Sequence, residues 1–233
     1  MTHVPRITDP RSVPVVGIDD HLAPIAPAAL EPHALRARFA AATEWTPEWP
    51  GDGMRFIDRE PAAAAVLVPL VMRESGLQVL LTRRTDHLRA HAGQISFPGG
   101  RAEPEDPDAV ATALRETEEE IGLPRTHVEV IGALPTYTTV TSFVVTPVVA
   151  LVSPGFTLTL DAFEVAEAFE VPLNYLMTPA HHRRHEVEIE GQARRFLSMP
   201  WPAEAEVIDA AATYFIWGAT AAMLRNLYRF LAS

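Results

Sequence analysis

Four of the five residues from 116 to 120 are glutamates, and three of them share one face of a predicted helix. Glu116, Glu119 and Glu120 are spaced i, i+3 and i+4, which places their carboxylates side by side. Like charges at this spacing destabilise a helix by about a few tenths of a kcal/mol, and the negative end of the helix dipole adds to the cost. Clustered carboxylate oxygens are the ligands that hard divalent cations such as Mg²⁺ prefer. The run therefore indicates either a metal site or an acidic, solvated helix turn.

Two neighbouring features bear on that choice. Arg115 can pair with Glu119 at i+4, which weakens the argument for a metal. Upstream, residues 97–100 read Phe-Pro-Gly-Gly, a strand end that breaks into a glycine turn. The backbone oxygens of such a turn can approach an ion closely, so the turn favours the metal interpretation.

The helix that carries the glutamates has clear start and stop signals. Asp106 is predicted as its N-cap, and Pro107 suits the first helical position because its missing N–H would have no partner there. Gly122 followed by Pro124 predicts the end of the helix. An apolar row suited to packing on a sheet runs along one side, formed by Val110, Leu114, Thr117 and Ile121.

Residues 99–123 resemble the signature of the Nudix hydrolases, G-x5-E-x7-R-E-U-x-E-E-x-G-U, in which U is aliphatic. The second half matches from Arg115 to Leu123, with Thr117 in place of an aliphatic residue. The first half departs, because the loop holds one extra residue and its acid is Asp106 or Asp108. The resemblance implies a Nudix-type α/β/α sandwich with a mixed sheet. It also implies hydrolysis of a nucleoside-linked pyrophosphate with Mg²⁺ or Mn²⁺.

The same resemblance implies roles for individual residues of this segment. Glu116 and Glu120 are expected to be the main metal ligands, and Glu119 a further ligand or a base. The Gly99 carbonyl is expected to complete the metal shell. Arg115 is part of the signature and is expected to be one of the catalytic residues.

A general base outside the signature is common in the family. Residues 163–173 resemble the family's E-V-x4-F-x-V-P-L stretch, and they contain two candidates. Glu164 is the expected base, with Glu167 in reserve. The alternative for both is an ordinary surface charge.

Residues 80–100 resemble the signature of one branch, the coenzyme A pyrophosphatases, L-L-T-x-R-[SA]-x3-R-x3-G-x3-F-P-G-G. Only Thr85 departs from it. The resemblance implies that the substrate is coenzyme A (CoA) or a CoA thioester, cleaved to 3′,5′-ADP and 4′-phosphopantetheine or its acyl form. Arg84 and Arg89 are then expected to bind the substrate, with the 3′-phosphate as their target, because a forked guanidinium suits a phosphate.

Other interpretations stay open. An ADP-ribose or dinucleotide (NADH-type) pyrophosphatase would use the same glutamates, and a Nudix-like binding module would sense a nucleotide without cleaving it. Such modules usually lose carboxylates of the signature, whereas the three helix glutamates are all present. Arg84 and Arg89 could also serve only to pair with acids such as Asp86 or Glu103.

The composition excludes several classes of function. The chain has 233 residues, of which 48% are apolar, and it has no cysteine, so disulfides, thiolate metal sites and cysteine nucleophiles are excluded. A net charge of −11 argues against a nucleic-acid partner. No apolar run approaches the roughly 18 residues of a membrane span, and we expect a cytoplasmic protein. An anionic nucleotide needs a locally positive cleft, which the cluster of Arg83, Arg84 and Arg89 is predicted to supply.

The remaining segments predict one domain with an extension. Residues 1–31 are rich in proline and are expected to form an arm that wraps the domain or a partner chain, which leaves a homodimer open. Residues 32–233 are expected to form the Nudix domain. A helix is predicted after Pro32, and another covers residues 219–231 near the C-terminus.

Strands are predicted between these helices. Residues 65–82 read as a hairpin that carries Arg83 and Arg84 to a strand end, and residues 184–197 read as a second hairpin. Two further β runs cover residues 128–134 and 142–152, and Pro147 in the latter indicates a bulge or a break in pairing. The histidines of the run 181–185 are expected to be solvated at the surface, with a metal site as the alternative.

Overall fold

The computed structural model describes residues 7, 9–41, 44–52, 60–87, 93–189, 191–202 and 213–233. Arg89, one of the two expected substrate-binding arginines, lies outside the described residues. Within the described ranges, no helix combines the length and apolar character that a membrane crossing requires.

The chain forms four α-helices and twelve strands within the described residues, numbered along the sequence. The helices are α1 Pro32–Ala40, α2 Ala109–Ile121, α3 Leu173–Leu176 and α4 Gly218–Ala232. The strands are β1 Val15–Ile18, β2 Ala62–Arg73, β3 Gly76–Arg84, β4 Ile95–Ser96, β5 Gly99–Arg101, β6 Val128–Ala133, β7 Tyr137–Thr138, β8 Phe143–Val152, β9 Val165–Pro172, β10 Arg183–Ile189, β11 Gln192–Pro202 and β12 Thr213–Trp217.

A mixed sheet of eight strands, β2 to β9, forms the centre of the fold. The predicted hairpin of β2 and β3 is confirmed, and β2 also pairs in parallel with β8 along its length. The mixed sheet confirms the predicted fold class. Pro147 leaves the parallel ladder unbroken, with Val66 as its partner. On the other edge of β8, Pro147 falls between the segments that pair with β7 and β6, so the predicted break in pairing occurs only there.

Alternation along β2 explains the layers of the fold. Ala65 and Leu67 pack in the core under α2, whereas Val68 and Leu70 face the core that includes α4. Successive side chains of a strand point to opposite faces, so one buried strand serves both cores. The sheet is therefore covered on both sides.

A second, antiparallel sheet has the order β1-β10-β11-β12 and was not predicted. The predicted second hairpin is confirmed as β10 and β11, and β12 continues the sheet into α4. The N-terminal segment supplies the edge strand, because Val15 pairs with His185. The described part of the proline-rich arm thus packs on its own domain.

The start of α2 corrects the sequence prediction. The N-cap is Asp108, whose carboxylate accepts a hydrogen bond from the Ala111 N–H at 2.8 Å. Asp106 is not the cap, because its carboxylate lies 2.8 Å from the Arg115 guanidinium and 3.0 Å from the Thr112 hydroxyl. The end of α2 is as predicted, at a left-handed glycine cap.

Two of the histidines expected at the surface are buried. His182 lies 2.7 Å from the Leu176 carbonyl oxygen and 3.0 Å from the Arg225 guanidinium. His185 lies 2.8 Å from the Ser198 hydroxyl. Neither is solvated, since hydrogen bonds within the protein replace water at both rings.

Candidate active site

The glycine turn before α2 holds a buried glutamate. The Gly99 N–H donates to the Glu120 carboxylate at 3.1 Å, and Glu120 is only 6% exposed. Gly99 has φ of 148°, and a Cβ there would lie 2.5 Å from the Val66 Cα in β2. Only glycine fits this close approach between turn and strand. The turn therefore fixes the position of Glu120 against the sheet.

Burial is the main cause that raises the pKa of Glu120 to about 7. The negative charges of Glu164 and Glu116 raise it further, whereas the Gly99 N–H and Arg84 oppose the rise. Desolvation and neighbouring carboxylates both disfavour the ionised form, and a nearby cation reverses both effects. This carboxylate is therefore suited to holding a positive ion.

Glu116 lies beside the same turn. A Cβ on Gly100 would come within 2.5 Å of the Glu116 carboxylate, so the missing side chain makes room for it. Burial is the largest cause that raises the pKa of Glu116, and Glu119 and Glu164 add to the rise. The three carboxylates of residues 116, 120 and 164 thus act on one another electrostatically.

Arg115 holds the loop and the helix together. Its guanidinium lies 2.8 Å from Asp106, 3.1 Å from Glu116 and 3.0 Å from Glu119. It also donates to the Arg101 carbonyl oxygen at 3.1 Å. The predicted pairing of Arg115 with Glu119 is confirmed. These contacts join Arg115 to the loop before α2 and to Glu116.

Glu116, Glu120 and Glu164 form an acidic cluster, and Arg84 reaches it from the end of β3. Its guanidinium lies 3.7 Å from Glu120 and 3.6 Å from Glu164. Neither of the acids considered as alternative partners, Asp86 and Glu103, forms an ion pair with Arg84 in the described part of the chain. The residue predicted to bind substrate therefore stands beside a predicted metal ligand and the predicted base.

Glu164 and Glu167 have different surroundings. The carbonyl oxygen of Glu164 accepts a hydrogen bond from the Thr85 N–H at 3.0 Å, and the Glu164 side chain is 42% exposed. Glu167 pairs with Arg83 at 3.2 Å and accepts a hydrogen bond from the Tyr214 hydroxyl. Arg83 thus pairs with Glu167, whereas it was expected beside Arg84 and Arg89 in a positive cleft.

Comparison of the sequence with known protein families agrees with this fold and this acidic cluster. The family model of the NUDIX domain matches residues 61–190, which is more than half of the chain. The chain belongs to the Nudix hydrolase family. It is 40% identical over 175 residues to a protein of Shigella flexneri named uncharacterized Nudix hydrolase NudL, covering 73% of this chain and 85% of that protein. It is 41% identical over 165 residues to the NudL protein of Escherichia coli K12, covering 70% of this chain and 80% of that one.

A solved structure, the binary complex of a Caenorhabditis elegans Ap4A hydrolase, covers 51% of this Nudix chain and 85% of its own, at 20% identity and a TM-score of 0.42.

The acidic cluster supplies carboxylate oxygens, which are ligands that Mg²⁺ and Mn²⁺ accept. No group of three or more His, Asp or Glu side chains is already arranged around one point in the described residues. Guanidinium groups stand beside the carboxylates instead, Arg84 by Glu120 and Arg115 by Glu116. The donor chemistry and the raised pKa values of Glu116 and Glu120 fit a divalent cation.

A cavity of about 510 Å³ opens beside the glycine turn of this Nudix fold. Arg84, Gly99 and Gly100 form part of its wall, and β11, β12 and the start of α4 form another part. Its volume lies in the range of small-molecule sites, roughly 300–1,000 Å³. Sequence reasoning missed the second wall, because its residues match no part of either signature.

Proposed function

We propose that the protein hydrolyses the diphosphate bond of CoA or a CoA thioester in the presence of Mg²⁺ or Mn²⁺. The products are 3′,5′-ADP and 4′-phosphopantetheine or its acyl form. The observation that carries the proposal is the buried Glu120, held beside Glu116 by a glycine turn whose Gly99 and Gly100 line a cavity of ligand size. The resemblance of residues 80–100 to the CoA pyrophosphatases supports CoA as the substrate.

In this proposal Glu116 and Glu120 hold the cation, with Glu119 and the Gly99 carbonyl as further ligands. A bound divalent cation would neutralise charge on the phosphate oxygens and lower the pKa of a water molecule. Arg115 keeps Glu116 in place through its contact at 3.1 Å.

Glu164 accepts the proton of the attacking water. Its position 3.6 Å from Arg84 supports this role, because a partly exposed carboxylate beside the cluster can reach a water at the diphosphate. Arg84 lines the cavity and binds an oxygen of the diphosphate from there. Glu167 is held by Arg83 and Tyr214 and serves the structure.

The second candidate is an ADP-ribose or dinucleotide pyrophosphatase. Its chemistry would use the same carboxylates, so the cluster does not distinguish the two functions. The resemblance of residues 80–100 to the CoA pyrophosphatases favours CoA.

The test combines one variant with a panel of substrates. Glu120→Gln keeps an oxygen that can accept from the Gly99 N–H but removes the charge, so turnover is expected to be lost while the circular dichroism spectrum and melting temperature are kept. Glu129→Gln is the matched control, because Glu129 on β6 forms an exposed ion pair with Arg36 of α1. CoA, dephospho-CoA, ADP-ribose and NADH are assayed with one metal, and the products are separated by chromatography.

Three results would contradict the proposal. Activity of Glu120→Gln close to wild type with added Mg²⁺ would remove the metal assignment. A clear preference for ADP-ribose over CoA would remove the substrate assignment, and binding of CoA without any product would replace the enzyme by a sensor.

A further inference from the structure

The second wall of the cavity comes from outside the segment that the family model matches. The match to the NUDIX family ends at residue 190. Arg194 and Phe196 on β11 and Trp217 on β12 all line the cavity. The matched segment supplies the other side, including Gly99 and Gly100 of the glycine turn that holds Glu120. The strands β11 and β12 thus lie across the cavity from the glycine turn. Such a wall is where selection among substrates can be made.

The charges that line the cavity are strongly one-sided. Among the described residues they are four arginines, Arg84, Arg101, Arg194 and Arg195, against a single carboxylate, Asp52. The whole protein carries a net charge of −11, so this excess of arginine runs against its overall charge. Arg84 pairs with Glu120 and Glu164, and Arg195 pairs with Glu186. A locally positive cleft attracts an anionic ligand that the rest of the surface repels.

The one carboxylate in the wall is already engaged. Asp52 accepts hydrogen bonds from the Tyr137 hydroxyl and from the Val140 N–H, each at 2.6 Å. Burial, followed by the charge and hydrogen bond of Asp52, raises the pKa of Tyr137, and the positive charge of Arg194 opposes the rise. Arg194 is therefore within electrostatic reach of this pair, at the side of the cavity formed by the loop around Val140.

The two arginines of β11 differ in position. Arg195 is 74% exposed on its side chain and pairs with Glu186 at 2.6 Å, so it stands at the rim. Arg194 is half-buried and lies on the same face of the strand as Phe196, because side chains alternate along a strand. Arg194 is thus the inner of the two.

Aromatic rings lie beside Arg194 in the same wall. Phe196 and Trp217 meet edge to face with their centroids 5.5 Å apart, and Phe143 lines the cavity as well. One face of Phe196 is stacked on His185 and the ring is buried, so Trp217 is the more exposed of the two rings. A flat apolar surface of this kind accepts a ring such as a nucleobase. The wall therefore combines a surface for a ring with a guanidinium for an anion.

We propose that Arg194 binds a second phosphate of the substrate, remote from the diphosphate that is cleaved, and that Trp217 contacts the nucleobase. The protein then selects nucleotides that carry a phosphate on the ribose as well as the diphosphate. The proposal rests on the proposed function, in which the 3′-phosphate of CoA is this group. It moves the expected 3′-phosphate contact from Arg84, which stands between Glu120 and Glu164, to Arg194.

The first experiment measures binding without turnover. Calorimetric titrations of 3′,5′-ADP and of AMP into metal-free protein compare two ligands that differ only in the 3′-phosphate. Wild type is expected to bind 3′,5′-ADP about tenfold or more tightly than AMP, and Arg194→Gln is expected to lose that preference while AMP binding stays within about twofold. Arg194→Lys, which keeps the charge, is expected to retain part of the preference.

Arg183→Gln is the matched control. Arg183 lies on β10 of the same sheet and outside the cavity lining, so the variant loses the same charge without touching the site. It is expected to bind both ligands as wild type does. Melting temperatures of all variants check that the hairpin is intact.

The outcomes separate this proposal from the proposed function. Absence of a preference for 3′,5′-ADP in wild type, or equal weakening of both ligands in Arg194→Gln, overturns the assignment of Arg194. If the preference depends on Arg194 but CoA is not hydrolysed, the proposed function fails and the phosphate site stands. If CoA is hydrolysed and Arg194→Gln keeps the wild-type ratio of kcat/KM for CoA over dephospho-CoA, the function stands and the phosphate site fails.

Discussion

Alanine substitutions at the two adjacent glycines of the turn are expected to damage the protein in different ways. A Cβ at Gly100 would lie 2.5 Å from the Glu116 carboxylate, which is the movable end of a side chain. A Cβ at Gly99 would lie 2.5 Å from the Val66 Cα, which is backbone of β2. The first change displaces a proposed metal ligand, and the second strains the central sheet.

The structure sets the size of both effects. Gly100→Ala weakens the partly exposed pair of Arg115 and Glu116, worth about 0–1 kcal/mol, so most of the stability remains. Gly99→Ala adds backbone strain at a φ of 148° to a backbone clash, and the two together cost about 2–6 kcal/mol. A whole domain has only about 5–15 kcal/mol of stability, so this second loss is severe. Displacement of a reacting group by about 1 Å is enough to lower the rate roughly 10²-fold, which is the loss expected for Gly100→Ala.

The assay measures stability and activity on the same preparations. Urea unfolding gives the free energy of unfolding, and kcat/KM for CoA with Mg²⁺ gives activity. Gly17→Ala is the control, because a Cβ at Gly17 on β1 meets nothing within 4 Å. It is expected to match wild type in both measurements.

Two results would refute the reasoning. Wild-type activity in Gly100→Ala would mean that the position of Glu116 does not matter for turnover. Wild-type stability in Gly99→Ala would mean that the turn does not approach β2 as closely as the structure shows.

Two further predictions concern the base and the response to acid. Glu164→Gln is expected to lower kcat by about 10²–10⁴ and to remove the acidic limb of the pH–rate profile, while Glu167→Gln keeps that limb; the opposite result would exchange the two residues. The buried His182 has a pKa lowered to about 4, chiefly by burial and further by Arg225. Its unfolded form binds a proton below about pH 6.5, so stability is complete above that pH and falls as the pH drops towards 4, by about 3 kcal/mol at most. Urea unfolding of wild type and His182→Gln between pH 7 and 5 checks this, since the variant is expected to show a flatter dependence.

The features that depend on neighbours in the sequence could be predicted. The end of α2 at Gly122, the pairing of Arg115 with Glu119 and the shared face of the three glutamates all follow from helix geometry. Both hairpins follow from β runs joined by short turns. In each case the interacting residues lie within a few positions of one another, so periodicity alone brings them together.

The choice between similar local partners required the fold. Asp106 and Asp108 are both suited to cap a helix, and the structure gives the cap to Asp108 because Arg115 and Thr112 bind Asp106. In the same way, His182 and His185 look like surface residues in the sequence. His185 is buried because β10 lies between β1 and β11, and His182 is buried because its ring packs between Leu176 and Arg225 of α4. Periodicity shows neither arrangement.

The arrangement of the candidate site was decided by tertiary structure. Arg83 meets Glu167 across 84 positions of sequence, and Arg84 meets Glu164 in the same way, because β9 pairs beside β3. Arg194 faces the glycine turn only because a second sheet closes the cavity. The sequence by itself determined which carboxylates stand on one helix face, since a helix repeats every 3.6 residues. Which charges stand opposite them depends on strand order and register, and these are set by the burial of the whole chain rather than by any local pattern.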